Sequence, residues 1–212
     1  MVDNDSTDGS YEKLAETYGN RIKLIKNDKN GCSSGRNLGV KNATGKMLFF
    51  LDSDQWVIGH HYLDAAIELM CQNTTLGAIS WNAGWFAQNS YGGPIVDYLP
   101  NRGIAHPSIL CRTDIAYLAT SGLLMRKDLF DEIGGFDEFY DPTCFEDTDL
   151  SLKVRYAGYE IGYCPYMAVM HLPHQTTKSG SKKHMELMKR NGNYFGEKWK
   201  SLNPELLEYH LV

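Results

Sequence analysis

The chain has 212 residues, of which 42% are hydrophobic and 22% charged, and its formal net charge is −5. This length suits one domain, with or without a small appendage, and the composition excludes a disordered or fibrous protein. The negative charge gives no electrostatic reason to bind a nucleic acid backbone, so a nucleic acid partner is not expected. The five cysteines form no Cys-x-x-Cys pair, and we interpret them as reduced thiols of a cytoplasmic protein.

Short apolar runs alternate with helical stretches along the chain, and this alternation predicts an α/β fold. Residues 47–51 read Met-Leu-Phe-Phe-Leu, which is typical of a central strand buried on both faces. Residues 81–119 show little periodicity and are expected to form binding loops. The other predicted strands are 21–25, 76–80, 121–126 and one or two within 160–171, and the predicted helices are 60–72, 127–133, 146–157 and 182–199.

Two polar turns precede the predicted central strand. Residues 2–10 run from the end of a strand into a helix that begins near Ser10, and Asp3 is a candidate contact for a nucleobase or ribose. An N-cap and an Asx turn explain the same residues. Residues 31–39 contain glycines that permit close backbone approach, and Arg36 offers a planar fork for a phosphate or a base. Taken alone, such a segment is more often a helix start.

Asp52 and Asp54 directly follow the predicted central strand. Ligands of open α/β sheets bind at the carboxyl ends of strands, and two carboxylates there suit Mg²⁺ or Mn²⁺ that also holds a diphosphate. Acids at strand ends also cap the next helix or solvate a loop. The Asp-x-Asp pattern alone does not decide between these interpretations.

Acidic residues also open the helix predicted at 146–157. The helix dipole favours acids in a first turn, but a carboxylate that faces a cleft can also accept the proton of an attacking hydroxyl. His171 follows an apolar strand, and with His174 it is a candidate metal ligand, although a lone histidine is usually structural.

In their order and spacing these segments resemble the family 2 glycosyltransferases of the GT-A fold, especially the bacterial rhamnosyltransferase-like enzymes that build surface polysaccharides. Residues 35–54, 134–138 and 146–159 carry the resemblance, which extends from Val2 to about Trp199. It implies a GT-A type, Rossmann-like mixed sheet flanked by helices. We divide the chain into a catalytic domain at 1–177 and a basic helical tail at 178–212 that packs on it.

The resemblance implies a metal-dependent, inverting enzyme that transfers a sugar from a nucleoside diphosphate sugar to a hydroxyl acceptor. The acceptor is a glycan or a lipid-linked sugar, and the cofactor is Mn²⁺ or Mg²⁺. The resemblance also implies a role for several side chains. The general base is Asp147, the donor nucleotide contacts are Asp3, Arg36 and Asp52, the metal ligands are Asp54, Asp52 and His171, and the acceptor contacts are Asp137 and Glu146.

Members of this family begin with a further strand and helix that form one wall of the nucleobase pocket, and this sequence has neither before Val2. We therefore expect an N-terminally truncated domain with an exposed sheet edge. An exposed edge favours pairing with a neighbouring chain, so the expectation is a homodimer or a weakened enzyme.

Basic and apolar residues intermix along 178–200. A basic helix with an apolar face can lie on an anionic membrane, which would bring the enzyme to a lipid-linked acceptor at the inner face of the membrane. A helix that packs on the catalytic domain with its charges in solvent explains the same pattern and is the simpler hypothesis.

Other classes of protein share part of this pattern. A haloacid dehalogenase-like phosphatase also places Asp-x-Asp after a buried strand, but its motif lies near the start of the chain and continues to Thr or Val where Trp56 stands here. A non-catalytic sugar-nucleotide or partner-binding module remains an alternative, and it predicts binding without turnover.

Overall fold

The computed structural model of the protein describes residues 1–57, 62–86, 95–96, 111, 113–164, 169–172 and 181–208, with only the backbone of Tyr62, Ile95, Val96 and His171. The strands are β1 Val2–Asn4, β2 Ile25–Asn27, β3 Met47–Phe50, β4 Gln55–Val57, β5 Leu76–Ser80, β6 Ala83–Gly84, β7 Ile95–Val96, β8 Tyr117–Leu118, β9 Leu123–Arg126, β10 Glu160–Tyr163 and β11 Val169–His171. The helices are α1 Ser10–Tyr18, α2 Cys32–Lys41, α3 Tyr62–Gln72, α4 Lys127–Glu132, α5 Glu146–Tyr156 and α6 Lys182–Leu202, with 3₁₀ turns at Glu138–Tyr140 and Pro204–Leu207.

A mixed four-stranded sheet in the order β10-β5-β9-β3 forms the centre of the fold. β5 and β10 are parallel, whereas β9 runs antiparallel to both β5 and β3. Shorter ladders lie beside this sheet: β1 is parallel to β2, β4 is antiparallel to β11, and β6 lies between β7 and β8. The predicted α/β class with a mixed sheet and flanking helices is confirmed.

β3 packs on both of its faces, as its sequence predicts, but it stands at the edge of the described four-stranded sheet, beside β9, so the predicted central position is wrong. Leu48 and Phe50 belong to a buried cluster that includes residues of α4 and α5. Met47 and Phe49 pack against a second cluster, to which α3 contributes. Each large apolar side chain that is buried in this way contributes about 1.5–3 kcal/mol. Asp52 and Asp54 therefore follow a strand that is fixed by packing on both of its faces.

The strand predicted at 21–25 is wrong, because β2 covers Ile25–Asn27. The amide of Arg21 donates to the carbonyl oxygen of Tyr18 at 2.6 Å, so the chain is still turning away from α1 at that point. β2 forms where it can pair with β1, in a register that sets Val2 beside Ile25. The pairing partner decides the bounds of such a short strand, and a local pattern does not reveal it.

α6 packs on the rest of the described fold through a third buried cluster. Phe195 and Trp199 of α6 lie in this cluster with Tyr140 and Phe145. The helix predicted at 182–199 is therefore present, and the division of the chain at 177/178 stays a prediction. None of the helices that the structure describes is long and apolar enough to cross a membrane.

Candidate active site

Asp52 lies at the carboxyl end of β3, where its carboxylate is held by two neighbours. Arg36 Nη2 donates to Asp52 Oδ1 at 2.9 Å and to Oδ2 at 3.1 Å. Gln55 Nε2 donates to Oδ2 at 3.0 Å, and the Asp52 amide donates back to Gln55 Oε1 at 3.1 Å. Both oxygens of Asp52 are therefore engaged by the protein itself.

Arg36 projects from α2 and joins Asp52 to the first residue of α5. Its Nη1 donates to Glu146 Oε1 at 3.0 Å, and the Arg36 side chain is only 12% exposed. Its guanidinium carbon lies 5.5 Å from the ring centroid of Phe136. Burial lowers the pKa of Arg36, but the carboxylates of Asp52 and Glu146 outweigh this effect and raise the pKa above its ordinary value. Arg36 is thus a permanent cation that links α2, the end of β3 and the start of α5.

Asp147 follows Glu146 in the first turn of α5 and is half-buried. Its Oδ1 accepts hydrogen bonds from the Thr148 amide at 2.8 Å and from Thr148 Oγ1 at 3.3 Å. Burial, together with the charge of Glu146, raises the pKa of Asp147 to about 7. A carboxylate with such a pKa is suited to exchange protons near neutral pH.

Glu146 uses only one of its two carboxylate oxygens in these contacts. Oε1 accepts from Arg36, whereas Oε2 is buried and has no hydrogen-bond partner among the residues that the structure describes. A buried charged oxygen without a donor is costly, and such atoms in a folded protein call for an explanation. The predicted contact of Glu146 with an acceptor stays a prediction.

Asp54 and His171 are brought together by the pairing of β4 with β11. His171 lies opposite Gln55 in this ladder, and the Leu172 amide donates to the Asp54 carbonyl oxygen at 3.0 Å. The side chain of His171 and all of His174 lie outside the described residues. Within the described part of the chain, no three His, Cys, Asp or Glu side chains are grouped as a metal site. Carboxylate groups suit Mn²⁺ and Mg²⁺, and the metal role of Asp54 and His171 stays a prediction.

Asp3 is the middle residue of β1, and it is buried. Its Oδ1 accepts from the Ser6 amide, three residues along the chain, at 3.1 Å. The predicted Asx turn of this segment is formed by Asp8, whose Oδ1 accepts from the Ser10 amide at 3.0 Å. The neighbouring Asn4 Oδ1 accepts from Asn27 Nδ2 at 2.9 Å, which ties the ends of β1 and β2 together. The contact of Asp3 with a nucleobase or ribose stays a prediction.

Comparison with known proteins decides the family of the chain. The sequence profile described as Glycosyl transferase family 2 matches residues 1–134, which is more than half of the chain. The chain belongs to glycosyl transferase family 2. This assignment confirms the family inferred from the motifs.

Three relatives illustrate the range of similarity within this family. The uncharacterized protein y4gI of Sinorhizobium fredii is 23% identical over 95% of this chain and 24% of its own length. The Escherichia coli UDP-Glc:alpha-D-GlcNAc-diphosphoundecaprenol beta-1,3-glucosyltransferase WfgD is 37% identical over 34% of this chain and 29% of its own length. The N-acetylglucosaminyl-diphospho-decaprenol L-rhamnosyltransferase of Mycobacterium tuberculosis is 24% identical over 87% of this chain and 69% of its own length. The chain therefore spans about a quarter of the length of the first two relatives.

Two solved structures share the fold of this family 2 chain. GalNAc-T7, crystallised with UDP, GalNAc and Mn²⁺, superposes with a TM-score of 0.63 at 14% identity, over 98% of this chain and 46% of that one. The Pyrobaculum calidifontis mannosyltransferase PcManGT in complex with GDP-Man and Mn²⁺ superposes with a TM-score of 0.57 at 17% identity, over 98% of this chain and 62% of that one. These similarities confirm the predicted GT-A fold.

Asp137 of the family 2 chain makes contacts within the protein. Its Oδ1 accepts from the Phe139 amide at 3.0 Å, which begins the 3₁₀ turn. Its Oδ2 accepts from Tyr194 Oη and from Lys198 Nζ, each at 2.9 Å. Asp137 therefore has a turn-forming role, and its contact with an acceptor sugar stays a prediction.

The glycine at the start of α2 serves a role that sequence reasoning missed. A Cβ at Gly31 would lie 2.2 Å from Asp141 Oδ2, so only glycine leaves room for this carboxylate. Asp141 accepts from the amides of Ser33 at 2.8 Å and Ser34 at 3.3 Å and thereby caps α2. The glycines of residues 31–39 were expected to let a ligand approach the backbone closely. At Gly31 the group that approaches is instead the carboxylate of Asp141, from a distant part of the chain. No local pattern links positions 31 and 141.

Proposed function

We propose that the chain transfers a sugar from a nucleoside diphosphate sugar to a hydroxyl acceptor, with inversion at the anomeric carbon. One observation carries this proposal: Arg36 bridges Asp52, at the strand end where family members bind the donor, to Glu146, the neighbour of the candidate base Asp147. A donor-side acid and a proton acceptor are thereby held in one connected site. Membership of glycosyl transferase family 2 and the GT-A fold support the same reaction class.

In the proposed reaction Asp147 removes the proton from the acceptor hydroxyl. The hydroxyl oxygen forms a bond to the anomeric carbon while the bond from that carbon to the diphosphate oxygen breaks, so a single displacement inverts the configuration. The pKa of Asp147 near 7 leaves a large ionised fraction at neutral pH while keeping the carboxylate basic enough to accept a proton. We assign to Glu146 Oε2, which has no partner among the described residues, a hydrogen bond from a sugar hydroxyl of the acceptor.

Asp54 and His171 are the residues that would hold a divalent cation, Mn²⁺ or Mg²⁺. When bound, such a cation supplies positive charge that stabilises the departing diphosphate. Asp52, tied to Arg36, would instead orient the nucleotide side of the donor. The presence of Mn²⁺ in both solved neighbours supports Mn²⁺ as the first cation to test.

We extend the proposal to a lipid-linked sugar as the acceptor, because two relatives are named for diphosphoundecaprenol and diphospho-decaprenol substrates. Such an acceptor lies at a membrane, and α6 exposes Met185 beside the exposed lysines Lys182 and Lys183. Arg190 and Lys198 of the same helix are bound to the protein instead. Lys189 and Lys200 are exposed further along α6, so its exposed basic residues are not confined to the first turns. A homodimer stays a prediction.

The donor site is tested by calorimetric titration of the chain with UDP, GDP and dTDP, with and without Mn²⁺. We expect one nucleotide to bind in the presence of Mn²⁺ and Asp54→Asn to weaken that binding by at least about tenfold, as is typical when metal binding is disturbed. Asp64→Asn in α3 removes an exposed carboxylate elsewhere and serves as the control. Equal binding by both variants, or binding that ignores Mn²⁺, would overturn the metal role of Asp54.

A further inference from the structure

Residues 139–145, here called the base loop, lead from the 3₁₀ turn directly into Glu146 and Asp147. Cys144 and Phe145 have φ values of 79° and 74°, in the left-handed region that non-glycine residues seldom adopt. Phe145 also occupies the N-cap position of α5. The conformation of the base loop therefore sets the direction of the first turn of α5, which carries Glu146 and Asp147.

Two adjacent residues of α6 bind the base loop through its carbonyl groups. Asn191 is fully buried, and its Nδ2 lies 3.0, 2.9 and 2.8 Å from the carbonyl oxygens of Tyr140, Thr143 and Cys144. Arg190 Nη2 donates to the carbonyl oxygens of residues 139 and 141 at 3.0 and 2.7 Å. Arg190 Nε donates to Asn191 Oδ1 at 2.8 Å, so the two side chains act together.

The surface of α6 also fits the last residue of the base loop. A Cβ at Gly192 would lie 3.1 Å from the ring of Phe145, so the glycine leaves space for that ring. On the same helix Phe195 packs against Phe145 with a centroid separation of 5.4 Å. The hydrogen bonds and the ring packing from α6 thus favour the left-handed backbone conformation of Cys144 and Phe145, which such residues would seldom adopt alone.

α6 contacts α5 itself as well as the base loop, through a buried carboxylate of α5. Asp149 is fully buried and accepts from Tyr140 Oη at 3.2 Å, from Trp199 Nε1 at 2.9 Å and from Lys198 Nζ at 3.0 Å. Lys198 also donates to Asp137 at 2.9 Å. α6 therefore contacts both the base loop and the helix that the loop introduces.

We propose that Asn191 and Arg190 are positioning residues, through which α6 holds the base loop so that Asp147 faces the acceptor hydroxyl. This inference rests on the proposed function. On this view the basic tail belongs to the catalytic unit. Neither residue touches the reacting groups, and each acts through the carbonyl groups of the loop.

The test compares Asn191→Ala with Asn193→Ala, which removes an exposed asparagine from the same helix. The kcat of nucleoside diphosphate release and the Kd of the nucleotide are measured where circular dichroism shows each variant folded. A displaced catalytic group typically costs about 10²-fold, so we expect such a loss of kcat in Asn191→Ala with little change in nucleotide Kd. We expect Asn193→Ala to match the wild type.

Arg190→Met provides a second, milder variant, because the Arg190 residue is exposed and its loss leaves Asn191 in place. We expect it to fold and to lose several-fold in kcat with an unchanged nucleotide Kd. Wild-type kcat in a folded Asn191→Ala, or equal losses of kcat and nucleotide affinity, would overturn this inference alone. A wild-type chain that turns over no donor would overturn the proposed function and this inference with it.

Discussion

Replacing Asp147 with asparagine is expected to lower the rate of sugar transfer by about 10²–10⁴-fold, the usual contribution of a general base. Asparagine keeps the oxygen that accepts from the Thr148 amide but cannot take a proton. The donor contacts are unchanged, so the Kd of the nucleoside diphosphate should stay within about twofold, a difference of only a few tenths of a kcal/mol. Steady-state kinetics and calorimetry on the same preparation measure the two quantities.

The pH dependence of the wild-type enzyme provides a second readout of the same residue. Asp147 must be ionised to act, and its pKa lies at about 7, so kcat should rise from pH 6 to pH 8 and then level off.

Asp128→Asn is the matched control for the Asp147→Asn substitution, because Asp128 occupies the first turn of α4 and accepts from the next amide at 2.8 Å in the same way. Equal rates in Asp147→Asn and Asp128→Asn would exclude Asp147 as the base.

Replacing Arg36 with methionine is expected to lower the free energy of unfolding by about 3–5 kcal/mol, the usual cost of removing one partner of a buried ion pair. Methionine preserves much of the contact with Phe136 but leaves the carboxylate of Glu146, which is 7% exposed, without its cation. Nucleotide binding should weaken as well, because Asp52 loses its two hydrogen bonds from Arg36. Urea unfolding measures the stability, and calorimetry measures the binding.

The double variant Arg36→Met/Glu146→Gln separates the ion pair from other effects of Arg36. Glutamine removes the buried charge, so the double variant should recover part of the stability that Arg36→Met loses. Coupled residues in contact usually differ from additivity by about 0.5–3 kcal/mol. Strictly additive losses in urea unfolding would show that the 3.0 Å contact between Arg36 and Glu146 contributes nothing to stability.

The parts of the fold that the sequence predicted are those with a strong local pattern. The apolar run at 47–51 and the acids after it predicted a strand with Asp52 and Asp54 at its end, and β3 is that strand. Its predicted central position is wrong, because β3 stands at the edge of the described four-stranded sheet, beside β9. The helix that begins at Glu146 was also predicted, since acids cluster in its first turn. Such features depend on neighbours in sequence, and they can be inferred before any partner is known.

The contacts that organise the candidate site could not be predicted, because they join distant positions. Arg36 was predicted to meet a nucleotide, whereas in the structure it binds Asp52 and Glu146, the latter 110 positions away. Asn191 stands in a helix whose pattern indicated only a basic, amphipathic tail, yet it binds three carbonyl groups of the base loop. The local sequence around a polar side chain does not reveal whether that side chain contacts solvent or a buried hydrogen-bond acceptor.

Nucleoside diphosphate release from a panel of UDP-, GDP- and dTDP-sugars is the direct test of whether the chain transfers a sugar from such a donor. The wild-type chain would be incubated with each donor in the presence of Mn²⁺ or of a chelator, together with lipid-linked sugar acceptors. We expect release from at least one donor with an equivalent gain of sugar on the acceptor, and loss of both in the chelator. Binding of a nucleotide sugar with no release under any condition would show that the chain does not transfer the sugar, and it would favour a non-catalytic binding module.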